Sequence, residues 1–178
     1  MKEFLLNIIL AIDCHIIEFI KIPENINSNK QSLKELSNII MRCKENSILV
    51  GILGSWALTI HLGKEFRKID DIDLMTDDAS FERLEKLLLT LSYKKVSSKW
   101  PNMHCFTKNG VRIDVYSVND KNHIFYGLPF NTENMGYQGN SYPVITKRIL
   151  YEMYKRVFMK PGRSIRKDLI SFKVLNSI

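Results

Sequence analysis

The chain has 178 residues, of which 45% are hydrophobic and 25% charged, and its formal net charge is +7. These values are ordinary for one globular domain with a sizeable core, and they exclude a low-complexity chain. The three cysteines, Cys14, Cys43 and Cys105, have neither the even number of a disulfide framework nor the paired spacing of a zinc site, so they indicate a reducing cytoplasm.

The first twenty residues are apolar but are interrupted by Glu3, Asp13, His15 and Glu18. They contain no uninterrupted span of the roughly 20 apolar residues that a bilayer requires, and a signal peptide would lack the acidic residues. We therefore expect no membrane association. We expect an amphipathic helix that packs on the domain or on a second subunit, which leaves a homodimer open.

The next segments alternate between loop, helix and strand. Residues 21–30 hold a proline and several asparagines and predict a loop. Ser32-Leu-Lys-Glu35 has the pattern of a capping box and predicts the start of a helix. Ser47–Gly51 predicts a short buried strand. A second helix is expected from about Trp56 to Leu62, ending at Gly63.

A pair of carboxylates follows on the next predicted strand, Asp71–Met75. Because residues i and i+2 of a strand point to the same face, Asp71 and Asp73 share one face and Ile72 points to the other. Asp77, Asp78 and Ser80 are candidate caps for a helix over residues 81–91. We assign these two aspartates to capping and solvent rather than to metal.

A third carboxylate, Asp114, lies in the middle of a predicted strand. A strand is expected over residues 93–98, and Asn109-Gly110 predicts a hairpin between strands 104–108 and 111–118. If the second hairpin strand pairs with the Asp71–Met75 strand, three carboxylates converge, and their mutual repulsion favours divalent cations such as Mg²⁺. Two ions about 3.5–4 Å apart could then clamp an in-line displacement at phosphorus.

The last third of the chain is basic. Residues 119–142 are polar and aromatic and predict an excursion that either shapes an acceptor pocket or covers the sheet edge. Helices are expected over residues 147–159 and 164–175, separated by Pro161-Gly162. Residues 143–178 hold nine basic and two acidic side chains, which favours an anionic ligand such as a triphosphate, or RNA. The predicted division is 1–46 for N-terminal helices, 47–142 for a catalytic core and 143–178 for a basic helical segment.

Gly54 and Ser55 suit phosphate binding. Glycine permits close backbone approach, the following helix start presents free N–H groups, and the serine hydroxyl is a further donor. Arg67 lies between this turn and the carboxylate pair. Its guanidinium could contact a phosphate, hold an aspartate in place or lie on the surface.

These stretches resemble the DNA polymerase β-like nucleotidyltransferase superfamily. Its signature is a Gly-Gly or Gly-Ser turn, an Asp-x-Asp pair and a third Asp on a later strand, as in Gly54-Ser-Trp-Ala57, Asp70-Asp-Ile-Asp-Leu74 and Val111-Arg-Ile-Asp-Val-Tyr116. Within it, the chain looks like the lincosamide and aminoglycoside-2″ nucleotidyltransferases over about residues 48–175. Ser55 departs from these resistance enzymes, which usually have a second glycine there, and this departure concerns the acceptor more than the chemistry.

The resemblance implies an α+β fold, with a small mixed β-sheet flanked by helices and a C-terminal helical segment. It implies a transfer of a nucleoside monophosphate, AMP from ATP, to an acceptor hydroxyl with release of pyrophosphate. It implies that the catalytic residues, which also bind two Mg²⁺ ions, are Asp71, Asp73 and Asp114. The residues expected to bind the nucleotide phosphates are Gly54, Ser55, Arg67 and Lys155.

The resemblance also points to a lincosamide or aminoglycoside antibiotic as acceptor, so a small molecule is favoured over RNA or protein. Residues 119–142 offer only Asp120 and Glu133 as acids, which argues against a polycationic aminoglycoside more than against a neutral or anionic acceptor. One alternative is a toxin-like nucleotidyltransferase acting on tRNA or protein, which the basic C-terminal segment suits. Another is a non-catalytic nucleotide-binding module, against which the three intact aspartates speak.

Overall fold

The structure is a computed structural model that describes residues 27–98, 103–119, 121, 125–159, 171 and 173–175. Its elements in chain order are α1 (Asn27–Glu45), β1 (Gly51–Leu53), α2 (Gly54–Leu62), β2 (Asp71–Thr76), α3 (Asp78–Thr90), β3 (Lys94–Val96), β4 (His104–Lys108), β5 (Val111–Ser117), β6 (Thr132–Tyr137), β7 (Asn140–Ile145) and α4 (Lys147–Met159). The strands form one sheet in the order β3-β4-β5-β2-β1-β7-β6. This mixed sheet with flanking helices confirms the predicted α+β fold.

Two predicted helices lie largely outside the described residues. The amphipathic helix expected in residues 1–20 falls there entirely. Of the helix expected over residues 164–175, the structure describes residues 171 and 173–175, which are helical. In the part of the chain that is described, no helix has both the length and the apolar character needed to cross a bilayer.

The sheet has one apolar face and one face that carries the aspartates. β2 runs parallel to β5, with Ile72 opposite Ile113 and Leu74 opposite Val115 on the apolar face. These residues are almost fully buried. Helix α1 covers this face, where the Tyr142 hydroxyl of β7 and the Ser37 hydroxyl of α1 are 2.7 Å apart. Part of the core therefore lies between α1 and the sheet, and the aspartates lie on the opposite face.

Helix α1 begins earlier than expected. The prediction of a helix start at the Ser32 capping box is wrong, and so is the predicted loop over residues 27–30, because the described helix already includes Asn27. Residues 21–26 of the predicted loop lie outside the described residues. Two polar side chains near this start, those of Ser32 and Asn29, make tertiary contacts. The Ser32 hydroxyl accepts a hydrogen bond from Trp56 Nε1 at 3.0 Å instead of capping the helix. Asn29 is 1% exposed and binds the segment between α2 and β2.

The Asn29 side-chain amide binds the segment between α2 and β2 through both its nitrogen and its oxygen. Its Nδ2 donates to Glu65 Oε2 at 2.6 Å and to the Arg67 carbonyl at 3.1 Å, and its Oδ1 accepts from the Ile69 N–H at 2.9 Å. We expect Asn29→Ala to lower the free energy of unfolding by about 2 kcal/mol, because a buried N–H loses its partner. Urea denaturation measures this loss.

The matched control is Asn46→Ala. The Asn46 amide is exposed and donates to the Arg42 carbonyl at 2.8 Å. An exposed amide exchanges its partner for water, so this variant should change stability by no more than about 0.5 kcal/mol. Equal losses in the two variants would contradict the role given to Asn29.

Strand β1 starts four residues later and ends two residues later than the predicted strand Ser47–Gly51. Residues 46–48 instead close α1: the Ile48 N–H donates to the Cys43 carbonyl at 2.8 Å, and Ser47 has a φ of 52°. The antiparallel pairing with β2 then places Leu53 opposite Asp73. The Gly-Ser turn is thereby brought directly beside the carboxylate pair.

The predicted excursion over residues 119–142 is in part a hairpin. β6 and β7 pair antiparallel around Gln138 and Gly139, whose φ angles of 45° and 79° are positive as in a type I′ turn. β6 forms one edge of the sheet. The segment thus adds an edge strand to the sheet, where the sequence had left open a covering loop or an acceptor pocket.

The other elements agree closely with the sequence. Asp77 caps α3 by accepting the Ser80 N–H at 2.8 Å. Asn109 and Gly110 form the β4–β5 turn, and Gly63 ends α2 with a φ of 72°. α4 has the predicted bounds. α2 and α3 start two and three residues earlier than expected, and β3 is shorter than the predicted strand.

His61 on α2 makes stability depend on pH. It is buried, its Nε2 lies 3.0 Å from the Ile145 carbonyl, and burial lowers its pKa below the usual 6.5. Glu133, 3.9 Å away, opposes this shift only in part. As the pH falls, His61 is protonated in the unfolded chain at a higher pH than in the folded protein. The free energy of unfolding should therefore fall as the pH drops below about 6.5 towards the lower folded-state pKa. Urea denaturation between pH 7 and 5 should show a smaller fall for His61→Gln, and equal slopes would contradict the assignment.

Candidate active site

Three carboxylates meet on the polar face of the sheet. β2 and β5 pair so that Asp73 lies opposite Asp114, and Asp71 shares the face because it is two residues from Asp73. One oxygen from each of the three lies within 4.8 Å of the others. Asp114 is 3% exposed, and the other two are half-buried. The structure therefore brings the three carboxylates together, as the sequence predicted.

The cluster is electrostatically crowded. Burial raises the pKa of Asp71 above its usual range, and the negative charge of Asp114 adds to that rise. The cations of Arg112 and Arg67 oppose it. Carboxylate oxygens are the ligands that hard divalent cations prefer, and such a cation would relieve the repulsion. The residues present thus fit a magnesium site.

The turn that opens α2 touches this cluster. Gly54 has a φ of 65°, and a Cβ atom at this position would lie 2.0 Å from Asp73 Oδ2. Only glycine leaves room for the carboxylate here and adopts this backbone conformation without strain. The N-terminus of α2, with its free N–H groups, therefore lies against the face that carries the three aspartates.

Ser55 and Arg67 form a pair at the same turn. Arg67 Nη2 donates to the Ser55 hydroxyl, and Nη1 donates to the Lys68 carbonyl at 3.1 Å. Arg67 Nε is buried and has no hydrogen-bond partner among the residues that the structure describes. The structure thus brings Gly54, Ser55 and Arg67 together, as expected for one site.

Two further residues join the site that the sequence reasoning did not single out. Arg112 Nε donates to Asp114 Oδ1 at 2.8 Å, and the Tyr116 hydroxyl donates to Asp73 Oδ1 at 3.1 Å. Burial, followed by the charges of the aspartates, raises the pKa of Tyr116 well above its usual value, so the hydroxyl keeps its proton. Strand alternation could have placed Arg112 and Tyr116 on the face of the aspartates, because they lie two positions before and after Asp114.

The aromatic residues of the 119–142 segment have mixed roles. Phe125 is buried against Tyr116, with ring centroids 5.8 Å apart, and Tyr137 is also buried. Tyr126 is 44% exposed, and its carbonyl accepts a hydrogen bond from Arg156 of α4 at 2.8 Å. Lys155 also lies on α4, with its side chain partly exposed. Its predicted contact with the triphosphate stays a prediction.

Comparison with known families gives a match to the family model described as aminoglycoside-2″-adenylyltransferase, over residues 35–122. This stretch contains the Gly54-Ser55 turn and all three aspartates. A comparison with curated proteins finds no match.

Solved structures share the fold at low sequence identity. ANT(2″)-Ia, solved with adenylyl-2″-tobramycin, is 16% identical, with a TM-score of 0.66, 84% of this chain and 88% of that chain being covered. The lincosamide antibiotic adenylyltransferase LnuA, solved with lincomycin, is 19% identical, with a TM-score of 0.61 and coverage of 81% and 96%. An antigenic nucleotidyltransferase-like protein from Paracoccidioides brasiliensis is 16% identical, with a TM-score of 0.58 and coverage of 80% and 73%. The chain is therefore a nucleotidyltransferase that resembles the polymerase β-like superfamily and, within it, the aminoglycoside-2″ and lincosamide enzymes.

Proposed function

We propose that the protein transfers AMP from ATP to a hydroxyl group of a small-molecule antibiotic, in a reaction that requires Mg²⁺. The observation that carries this proposal is the carboxylate cluster of Asp71, Asp73 and Asp114, packed against the glycine that opens α2. The repulsion among three carboxylates in one place is unfavourable, and a bound divalent cation would relieve it.

The phosphates of ATP would lie at the start of α2. The N–H groups and the positive end of the helix dipole favour anions there. Ser55 and Arg67 supply a hydroxyl and a guanidinium, and the unpartnered Arg67 Nε is a donor that a phosphate oxygen could accept. We propose that Lys155 adds a further positive charge from α4.

Asp71, Asp73 and Asp114 would be the ligands of the two Mg²⁺ ions. When bound, such ions neutralise the phosphate charge and polarise the phosphorus–oxygen bonds. Arg112 and Tyr116 each hold one oxygen of a ligand carboxylate. These hydrogen bonds fix the orientation of the carboxylates before any substrate arrives.

The proposed step is an in-line displacement. The acceptor hydroxyl oxygen attacks the α-phosphorus of ATP, a new oxygen–phosphorus bond forms, and the bond from the α-phosphorus to the bridging oxygen breaks. Pyrophosphate leaves with that electron pair. Asp114 takes the proton of the acceptor hydroxyl as general base.

The acceptor that we favour is lincosamide-like. ANT(2″)-Ia was solved with an adenylylated tobramycin and LnuA with lincomycin, so both antibiotic classes occur among the similar structures. A polycationic aminoglycoside needs an acidic pocket, but within residues 125–142 the one acid is Glu133, which lies on the edge strand. A less cationic acceptor suits this surface better.

The test is an assay with ATP labelled at the α-phosphate. The protein is incubated with lincomycin, tobramycin or total tRNA, with Mg²⁺ or with EDTA, and the labelled product is identified. We expect a labelled antibiotic in the Mg²⁺ reactions alone, with lincomycin the better acceptor. Labelling of tRNA without labelling of either antibiotic would overturn the proposal. Parallel reactions with GTP, CTP and UTP test the proposed preference for ATP.

We also propose a cytoplasmic location, where ATP and Mg²⁺ are available. Cys43 and Cys105 are both free and buried, which suits a reducing compartment.

A further inference from the structure

One face of strand β5 carries three polar residues in alternation: Arg112, Asp114 and Tyr116. The outer two both donate hydrogen bonds to carboxylates of the cluster, but they differ in exposure. The Arg112 side chain is 45% exposed, whereas Tyr116 is 9% exposed. The Tyr116 hydroxyl therefore reaches Asp73 from the interior, across the gap between two neighbouring strands.

The tyrosine ring is held from its other side. Phe125 contacts it edge-on, with centroids 5.8 Å apart and planes at 63°, and is itself 6% exposed. The loop that carries Phe125 is tied to α4 by the hydrogen bond from Arg156 to the Tyr126 carbonyl. The hydroxyl is thus fixed in place by packing, independently of Asp73.

The Asp73 carboxylate lies between two fixed groups. Its Oδ1 accepts the Tyr116 hydroxyl at 3.1 Å, and its Oδ2 lies against the α-carbon of Gly54, where a Cβ would be 2.0 Å away. Without the phenol, the carboxylate loses one of the contacts that set its orientation. Outer partners that orient metal ligands commonly change metal affinity by about ten- to a hundredfold.

We propose that Tyr116 is a positioning residue for the metal site: its hydroxyl holds the Asp73 carboxylate in the orientation that binds the divalent cation, and so sets the affinity for that cation. The inference rests on the proposed function and deepens it. Tyr116 acts through Asp73 and does not itself touch substrate.

The experiment compares the wild-type protein with Tyr116→Phe. Calorimetric titration with MnCl₂, without nucleotide, measures metal affinity directly. We expect the Kd for Mn²⁺ to rise by about tenfold in the variant. In the turnover assay, the Mg²⁺ concentration for half-maximal rate should rise by a similar factor, while kcat at saturating Mg²⁺ stays within about threefold of the wild type.

The matched control is Tyr93→Phe. Tyr93 is also buried, and its hydroxyl donates to a carboxylate, Glu35 Oε2, at 2.6 Å, far from the aspartates on the α1 side of the sheet. This variant should lose stability and keep the wild-type Kd for Mn²⁺. An equal loss of Mn²⁺ affinity in both variants would overturn the inference, as would an unchanged Kd in Tyr116→Phe.

A second variant protects the test against misfolding. Phe125→Leu keeps the Tyr116 hydroxyl but weakens the packing of the Tyr116 ring. The Kd of this variant for Mn²⁺ should rise by a smaller factor of about three. If Tyr116→Phe does not fold, an unchanged Kd in Phe125→Leu overturns the inference. Failure of the proposed function would look different. In that case the wild-type protein would neither bind Mn²⁺ nor turn over ATP.

Discussion

Asp73→Asn is expected to lower metal-dependent turnover of ATP by about a thousandfold or more, because a metal ligand supplies several kcal/mol to the transition state and about 4 kcal/mol corresponds to this factor. Asparagine keeps the shape of the side chain but removes the negative charge. Release of pyrophosphate at saturating ATP and Mg²⁺ measures the loss. The melting temperature should not fall, because the substitution relieves repulsion within the carboxylate cluster.

The matched control is Asp70→Asn. Asp70 is exposed and adjoins the pair in sequence, so the substitution makes the same change in net charge. Turnover should stay within about threefold of the wild type, since solvent and salt screen an exposed charge. Turnover by Asp73→Asn close to the wild-type rate would contradict the metal-ligand role, and equal losses in both variants would indicate a general effect of charge.

The carboxylate cluster could be predicted because it depends on two short-range rules. Strand alternation places Asp71 and Asp73 on one face whatever the rest of the fold, and an apolar strand with a charge in its middle marks Asp114. The one long-range assumption was that the two strands are neighbours. β2 and β5 are paired with Asp73 opposite Asp114, so the assumption is correct.

The failures of prediction have a common cause, which is that local signals compete with tertiary partners. Ser32 has the sequence of a helix cap, but Trp56 takes its hydroxyl and the helix starts earlier. β6 is a polar strand at the sheet edge, so it lacks the apolar alternation of a half-buried strand. Arg112 and Tyr116 could be placed on the correct face, but their contacts depend on the spacing of β2 and β5, which the sequence does not contain.

Gly54→Ala is expected to reduce turnover by about a hundredfold or more, because displacement of a reacting group by about 1 Å can cost this factor. The added Cβ would lie 2.0 Å from Asp73 Oδ2 and 2.9 Å from its Cγ, so the carboxylate must move. The left-handed backbone, with a φ of 65°, adds about 1–2 kcal/mol of strain. Turnover and urea denaturation of the same preparation separate the loss of activity from the loss of stability.

Gly63→Ala separates the two effects, because it imposes the backbone strain without the collision. Gly63 ends the same helix with a φ of 72°, and a Cβ there meets no atom of the described residues within 4 Å. It should lose about 1–2 kcal/mol of stability and keep its turnover. If Gly54→Ala were no less active than Gly63→Ala, the close approach of the α2 turn to Asp73 would have no part in catalysis. A much larger loss of turnover at Gly54, with similar losses of stability, would place the effect in the position of the carboxylate.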